Sequence, residues 1–76
     1  MKKNKRLSEI GCKIVYYRRL RNMKQIDLAV AAGISQSYLS KIENGKYETG
    51  GSITIFLKIA RALNVDLKKI LQDENF

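Results

Sequence analysis

Two apolar periodicities hinged on a single glycine dominate the middle of this chain, where Gln25 to Asn44 reads QIDLAVAAGISQSYLSKIEN. Leu28, Ala29 and Ala32 recur at the i, i+3/i+4 spacing of one helix face, and Leu39 and Ile42 repeat that spacing in a second segment. Between them Gly33 supplies the permissive backbone that a sharp turn between helices needs. Ser35 is placed to cap the second helix, and Gly45 stands where a left-handed C-terminal cap would sit. The side chains left outside on that second helix are short and polar: Gln36, Ser37, Ser40 and Lys41. These types hydrogen-bond base edges and phosphates, and the major groove of duplex DNA admits one helix.

The segment resembles the helix-turn-helix of the Cro/repressor (Xre-type) family, with SYLSKIENGK carrying much of the likeness. Upstream, IGCKIVYYRRLRNMKQ follows the family's first helix, and downstream SITIFLKIARALNVDLKKIL follows its fourth and fifth. The likeness therefore runs from Ile10 to Leu71, the length of one small domain. It implies an all-α fold, a compact five-helix, lambda-repressor-like DNA-binding domain whose helices 2 and 3 form the helix-turn-helix. On this reading residues 1–6 are a basic arm, 7–72 the domain with its motif at 25–44, and 73–76 a tail.

A chain of 76 residues holds one domain, and so small a core leaves a monomer only marginally stable. The family commonly answers this by dimerising, so the resemblance implies a homodimer. With 15 Lys and Arg against 7 Asp and Glu, the formal charge of +8 points to a polyanionic partner, nucleic acid first. Charge alone is equally compatible with a solvated basic surface. Cys12 is the only cysteine and histidine is absent, so no internal disulfide or cysteine-built metal site is available, and no cofactor is expected. An enzyme is disfavoured on the same grounds: there is no cysteine–histidine pair, no phosphate-cradling glycine loop and no nucleophile with a base nearby. The longest apolar stretch, Leu28 to Ile34, is far short of the roughly twenty residues a membrane span needs. No signal-peptide pattern precedes the domain, so a cytoplasmic location is expected.

Outside the motif, Leu7, Ile10, Ile14 and Tyr17 form the stripe of a first amphipathic helix that Ser8 can cap and Asn22 can end in a left-handed conformation. Met23 stands in the place of a core leucine. Lys46 to Gly51 is a polar loop, longer than the usual family connection and expected to be mobile. Ser52 can cap a fourth helix with Ile53, Phe56, Leu57, Ala60 and Leu63 as a broad apolar face, closed by Asn64. Asp66 caps a short fifth helix carrying Leu67, Ile70 and Leu71. Ile55 replaces a residue usually polar in the family; with Ile59 it widens the apolar face, either as extra core or as a partner surface. Cys12 has no second thiol, and Lys13 is its sole cationic neighbour in sequence, which argues against redox sensing.

A recognition helix presents its N-terminal residues to the groove, so Gln36, Ser37, Ser40 and Lys41 are the expected base contacts. Glutamine matches adenine N7 and N6 together, and lysine reaches guanine O6 and N7. Gln25 opens the motif's first helix, where free N–H groups and the dipole favour a phosphate. Lys24 occupies a position usually held by a capping Ser, Thr or Asn; Asp27 is expected to compensate while Lys24 meets the DNA backbone. By resemblance, Tyr38, Asn44 and Lys46 would also touch phosphate or sugar, although each has a plain structural alternative. Lys2, Lys3, Lys5 and Arg6 could embrace the duplex or stay solvated. Arg18 and Glu43 sit where the family joins its first helix to its recognition helix by an ion pair.

The resemblance thus implies a sequence-specific regulator of transcription, similar to phage-type repressors and restriction-modification controller proteins, acting as a homodimer on a palindromic operator. The alternative is an antitoxin-type module that binds a protein partner as well as its own promoter, with Ile55, Leu71 and Phe76 as contacts. Membrane-surface binding is disfavoured because the basic residues are spread among several helices.

Overall fold

The computed structural model describes residues 5–46 and 53–71, and there the chain forms five helices and no strand. They are α1 (Lys5–Leu20), α2 (Gln25–Ala32), α3 (Gln36–Glu43), α4 (Ile53–Leu63) and α5 (Leu67–Leu71). α2 packs against α4 and α3, α1 against α3, and α5 fills the space against α1 and α4. The predicted stripes converge on one core: Ile10 and Ile14 from α1, Leu28, Ala29 and Ala32 from α2, and Leu39 and Ile42 from α3. Phe56, Ile59, Ala60 and Leu63 from α4 and Ile70 from α5 complete it. Each fully buried Leu or Ile contributes about 1.5–3 kcal/mol relative to exposure. Met23, Ile55, Leu67 and Leu71 lie half-buried against this core, so Ile55 packs inward together with the fully buried Ile59.

The first four helices all close with the same device. Asn22, Gly33, Gly45 and Asn64 take φ values of 57°, 72°, 69° and 58°. The N–H of each bonds back to the carbonyl three residues earlier, and the following N–H to the carbonyl five earlier, as in Asn22 to Arg19 (2.9 Å) and Met23 to Arg18 (3.0 Å). This Schellman closure satisfies carbonyls that the helix end would otherwise orphan. Glycine enters the left-handed region freely, and asparagine is the side chain that tolerates it best.

The α1–α3 contact is set by a glycine inside α1. A Cβ on Gly11 would stand 2.5 Å from the Glu43 carbonyl oxygen and 2.6 Å from that of Ile42, so the last turn of α3 lies directly on the α1 backbone there. Ser8, expected to cap α1, is instead inside it, because the helix starts at Lys5. Its backbone and hydroxyl face Gly45, where a Cβ would come within 2.7–2.9 Å of them, so the segment leaving α3 passes over Ser8. Lys5 and Arg6 likewise belong to α1 and not to an arm; the Arg6 guanidinium donates to the Leu71 carbonyl at the end of α5. Lys2, Lys3, Ser52, the loop after Lys46 and Phe76 lie outside the described residues.

The apolar face of α4 is narrower than its sequence promised. Phe56, Ala60 and Leu63 are buried, but Ile53 and Leu57 remain 59% and 37% exposed, beyond the edge that neighbouring helices cover. Asp66 caps α5 as expected, its Oδ1 accepting from the Lys68 N–H at 3.1 Å. Among the described residues, no helix is long and apolar enough to cross a membrane.

Candidate nucleic-acid interface

α3 divides cleanly into an inner and an outer side. Leu39, Ile42 and Glu43 are buried, while Gln36, Ser37 and Lys41 are exposed and Ser40 is half-buried. Its start is fixed by Ser35, whose Oγ accepts from the Tyr38 N–H at 3.0 Å. The base-contact candidates Gln36, Ser37 and Lys41 therefore share an outward arc, with Ser40 at its margin.

The inner side is anchored by a fork-to-fork ion pair. Arg18 Nε donates to Glu43 Oε2 at 2.7 Å and Arg18 Nη2 to Glu43 Oε1 at 3.1 Å, with only 12% and 5% of the two side chains exposed. The third guanidinium nitrogen, Nη1, donates to the Met23 carbonyl at 3.0 Å, tying the α1–α2 turn to the same group. Paired geometry of this kind adds direction as well as attraction. It fixes α3 relative to the end of α1.

At the start of α2, the Lys24 N–H donates to Asp27 Oδ2 at 2.9 Å. Asp27 supplies the acceptor that a lysine side chain cannot, half of a capping box, and leaves the Lys24 side chain exposed. Gln25 is half-buried and has a more particular environment than an open helix end. Its Nε2 donates to Glu43 Oε1 at 2.9 Å, and its Oε1 accepts from Gln36 Nε2 at 3.3 Å. Nothing in the sequence spacing signalled that link.

Of the expected backbone contacts, Lys46 is exposed. Asn44 is exposed too, but its Nδ2 donates to the Ser40 carbonyl at 2.8 Å, so its side chain helps end α3. Tyr38 is half-buried with its ring against the core. Two further features escaped the sequence reading. Gly11 does not continue the apolar stripe, and an isolated glycine within a helical pattern is the signal that would have pointed to a close helix crossing. Arg21 donates through Nε to the Leu63 carbonyl at 2.8 Å and through Nη2 to that of Asn64 at 3.2 Å, tying the ends of α1 and α4. Cys12 is exposed, and no group of side chains suited to hold a metal ion occurs among the described residues.

This geometry has close counterparts. A family model described as helix-turn-helix (HTH_3) matches residues 14–70. An HTH-type transcriptional regulator of Methanocaldococcus jannaschii, MJ0272, is 40% identical over 58 residues, covering 76% of this chain and 85% of that protein. The HTH-type transcriptional regulator SinR of Bacillus subtilis is 33% identical over 66 residues, 87% of this chain and 59% of SinR. A crystal structure of SinR in complex with DNA superposes with a TM-score of 0.76 at 35% identity, covering 83% of this chain and 98% of that one. The restriction-modification controller protein C.AhdI from Aeromonas hydrophila gives a TM-score of 0.79 at 26% identity, over 84% of this chain and 94% of its own.

Proposed function

The chain belongs to the HTH_3 helix-turn-helix family, and from that membership we propose that this transcriptional regulator binds duplex DNA sequence-specifically as a homodimer on a two-fold symmetric operator. The observation that carries the reading is the division of α3, whose inner side is held by the Arg18–Glu43 pair while Gln36, Ser37 and Lys41 face outward. Gln36 and Lys41 are the principal base readers; Ser37 and Ser40 make shorter contacts at the same groove. Lys24 and Lys46 neutralise phosphates on either side, with Gln25, Tyr38 and Asn44 alongside. A charge of +8 supplies the sequence-independent attraction.

Exposed Ile53 and Leu57 on α4 offer apolar surface for a second copy. Dimerisation would also supply the burial that a small domain lacks. With no metal or cofactor invoked, control is by protein concentration, and the dimer represses by occupying its site. The antitoxin reading has lost two of its contacts, since Ile55 and Leu71 pack against the core.

The test is selection of bound sequences from a random duplex pool at near-physiological salt. The expected result is a palindromic motif with half-sites about 10–11 base pairs apart, or a multiple of that. Enrichment of no motif would reduce the protein to a general polyanion binder and overturn the proposal.

A further inference from the structure

We infer that Arg21 is a positioning residue that fixes the angle between α4 and the reading helix α3, and so sets how strictly the protein requires one half-site spacing. The inference rests on the homodimer proposed above, with the exposed Ile53 and Leu57 of α4 as the surface for a second copy.

Arg21 is placed at both of its ends. Its backbone N–H bonds to the Tyr17 and Arg18 carbonyls, each at 3.1 Å, in the turn that closes α1. Its guanidinium reaches 42 and 43 positions along the chain, Nε donating to the Leu63 carbonyl at 2.8 Å and Nη2 to that of Asn64 at 3.2 Å. These are the last carbonyls of α4, where helix bonding leaves acceptors free and the dipole favours a cation. Arg18, one turn earlier on α1, grips α3 through Glu43. The end of α1 thus carries two guanidinium forks, one holding the reading helix and the other holding α4.

The second fork supplies what the core cannot. The side chains that α4 buries, Phe56, Ile59, Ala60 and Leu63, are all apolar. Apolar contact is non-directional and tolerates a small rotation of a helix, whereas a hydrogen bond weakens steeply as its angle opens. α4 is a rod of 11 residues, about 16 Å long, with Ile53 and Leu57 in its first half and the Arg21 grip at its far end. Fixing that far end fixes the direction in which the exposed pair faces relative to α3. Two reading heads joined in this way gain avidity only where the duplex lets both engage at once, so a stiff joint makes the requirement narrow and a loose one makes it broad.

The test uses the full chain with Arg21→Met and Arg21→Lys. Each is titrated against duplexes carrying the selected half-sites at their preferred spacing and with one base pair inserted, a change of about 3.4 Å and 35°. Lysine keeps the charge and a long stem but not the planar fork, so folding and long-range attraction to DNA are retained while the two-carbonyl grip is lost. The parent should bind the respaced duplex about 30-fold more weakly, and both variants only about fivefold more weakly. Base preference within a half-site and the dimer dissociation constant, from sedimentation, should stay as in the parent. Folding is checked by circular dichroism, and if the methionine variant is unfolded the lysine variant decides.

Full spacing discrimination in a folded variant would overturn the inference. A salt slope lowered by about one unit in Arg21→Met, with discrimination intact, would make Arg21 a phosphate contact and overturn it equally. A weaker dimer in the variants, large enough to account for the lost discrimination, would reduce Arg21 to a prop for the interface and do the same. A parent that binds as a monomer would instead refute the homodimer, and this inference would fall with it.

Discussion

Breaking the Arg18–Glu43 pair from each side in turn is the most demanding check on how α3 is held. Glu43 accepts three hydrogen bonds, two from Arg18 and one from Gln25, in a side chain only 5% exposed. Arg18→Met removes two of the three and leaves a carboxylate with one amide partner away from water, a loss of about 4 kcal/mol. Glu43→Met leaves the guanidinium with the Met23 carbonyl, and its long stem allows the charged head to reach toward solvent, so about 3 kcal/mol is expected. A domain of 76 residues has a total stability of about 4–11 kcal/mol, so either loss takes a large share of it.

The double variant carries no stranded charge and restores apolar volume on both sides. If the sites were independent the two losses would sum to about 7 kcal/mol; the double should fall short of that by at least about 2 kcal/mol. Urea unfolding followed by far-ultraviolet circular dichroism gives the free energies, and the thermal midpoint should drop by about 12–24 °C for a 3 kcal/mol loss. Single losses below about 1 kcal/mol that simply add would show two independent surface charges and refute the reasoning.

Gly11→Ala places a methyl group 2.5 Å from a backbone oxygen of α3, and should destabilise by about 1–3 kcal/mol because backbone cannot swing aside, as thermal unfolding will show. Asn64→Gly should stabilise by a few tenths of a kcal/mol and Asn64→Ala destabilise by about 1 kcal/mol, since φ is 58° there; urea midpoints separate the two. Lys24→Ser should raise stability by about 0.5–1 kcal/mol by supplying a capping hydroxyl. In DNA titrations at several salt concentrations it should lower the salt slope by about one unit, and an unchanged slope would remove Lys24 from the phosphate contacts.

The parts of the fold that were legible in the sequence are those governed by local rules. Apolar spacing located α2 and α3, Ser35 and Asp66 are caps because their side chains accept from nearby N–H groups, and Gly33 and Asn22 end helices through the left-handed region. Ser8 misled because a serine ahead of an apolar stripe resembles a cap wherever the helix begins. The width of the α4 face was overread, since how much of a stripe is covered depends on the neighbours' placement and not on the stripe. Arg18 and Glu43 are 25 positions apart, so resemblance and not spacing pointed to them. The Gln25–Glu43 bond spans 18 positions and joins a neutral amide to a charge already paired, a combination with no sequence signature.

Three ties hold α3 against the body, and all act from its inner side or its end: the bare backbone of Gly11, the Arg18–Glu43 fork and the closure at Gly45 over Ser8. The side chains of Ser37 and Lys41 take no part in them, although the Lys41 carbonyl accepts from the Lys46 N–H in the closure, and substitution at such exposed positions typically alters stability by no more than about 0.5 kcal/mol. Folding and the proposed base preference are therefore separable on that arc, where the scaffold does not depend on the outward side chains. Gln36 is the exception, because its amide is joined through Gln25 to the group that fixes the helix. A change at Gln36 alters the outward face and also leaves Gln25 Oε1 to find water in place of its partner. The proposed reading surface is thus coupled to the framework at Gln36, through Gln25 to Glu43, and free of those ties at the Ser37 and Lys41 side chains, which makes the α2–α3 junction the place where a change in the support reaches the outward arc of α3.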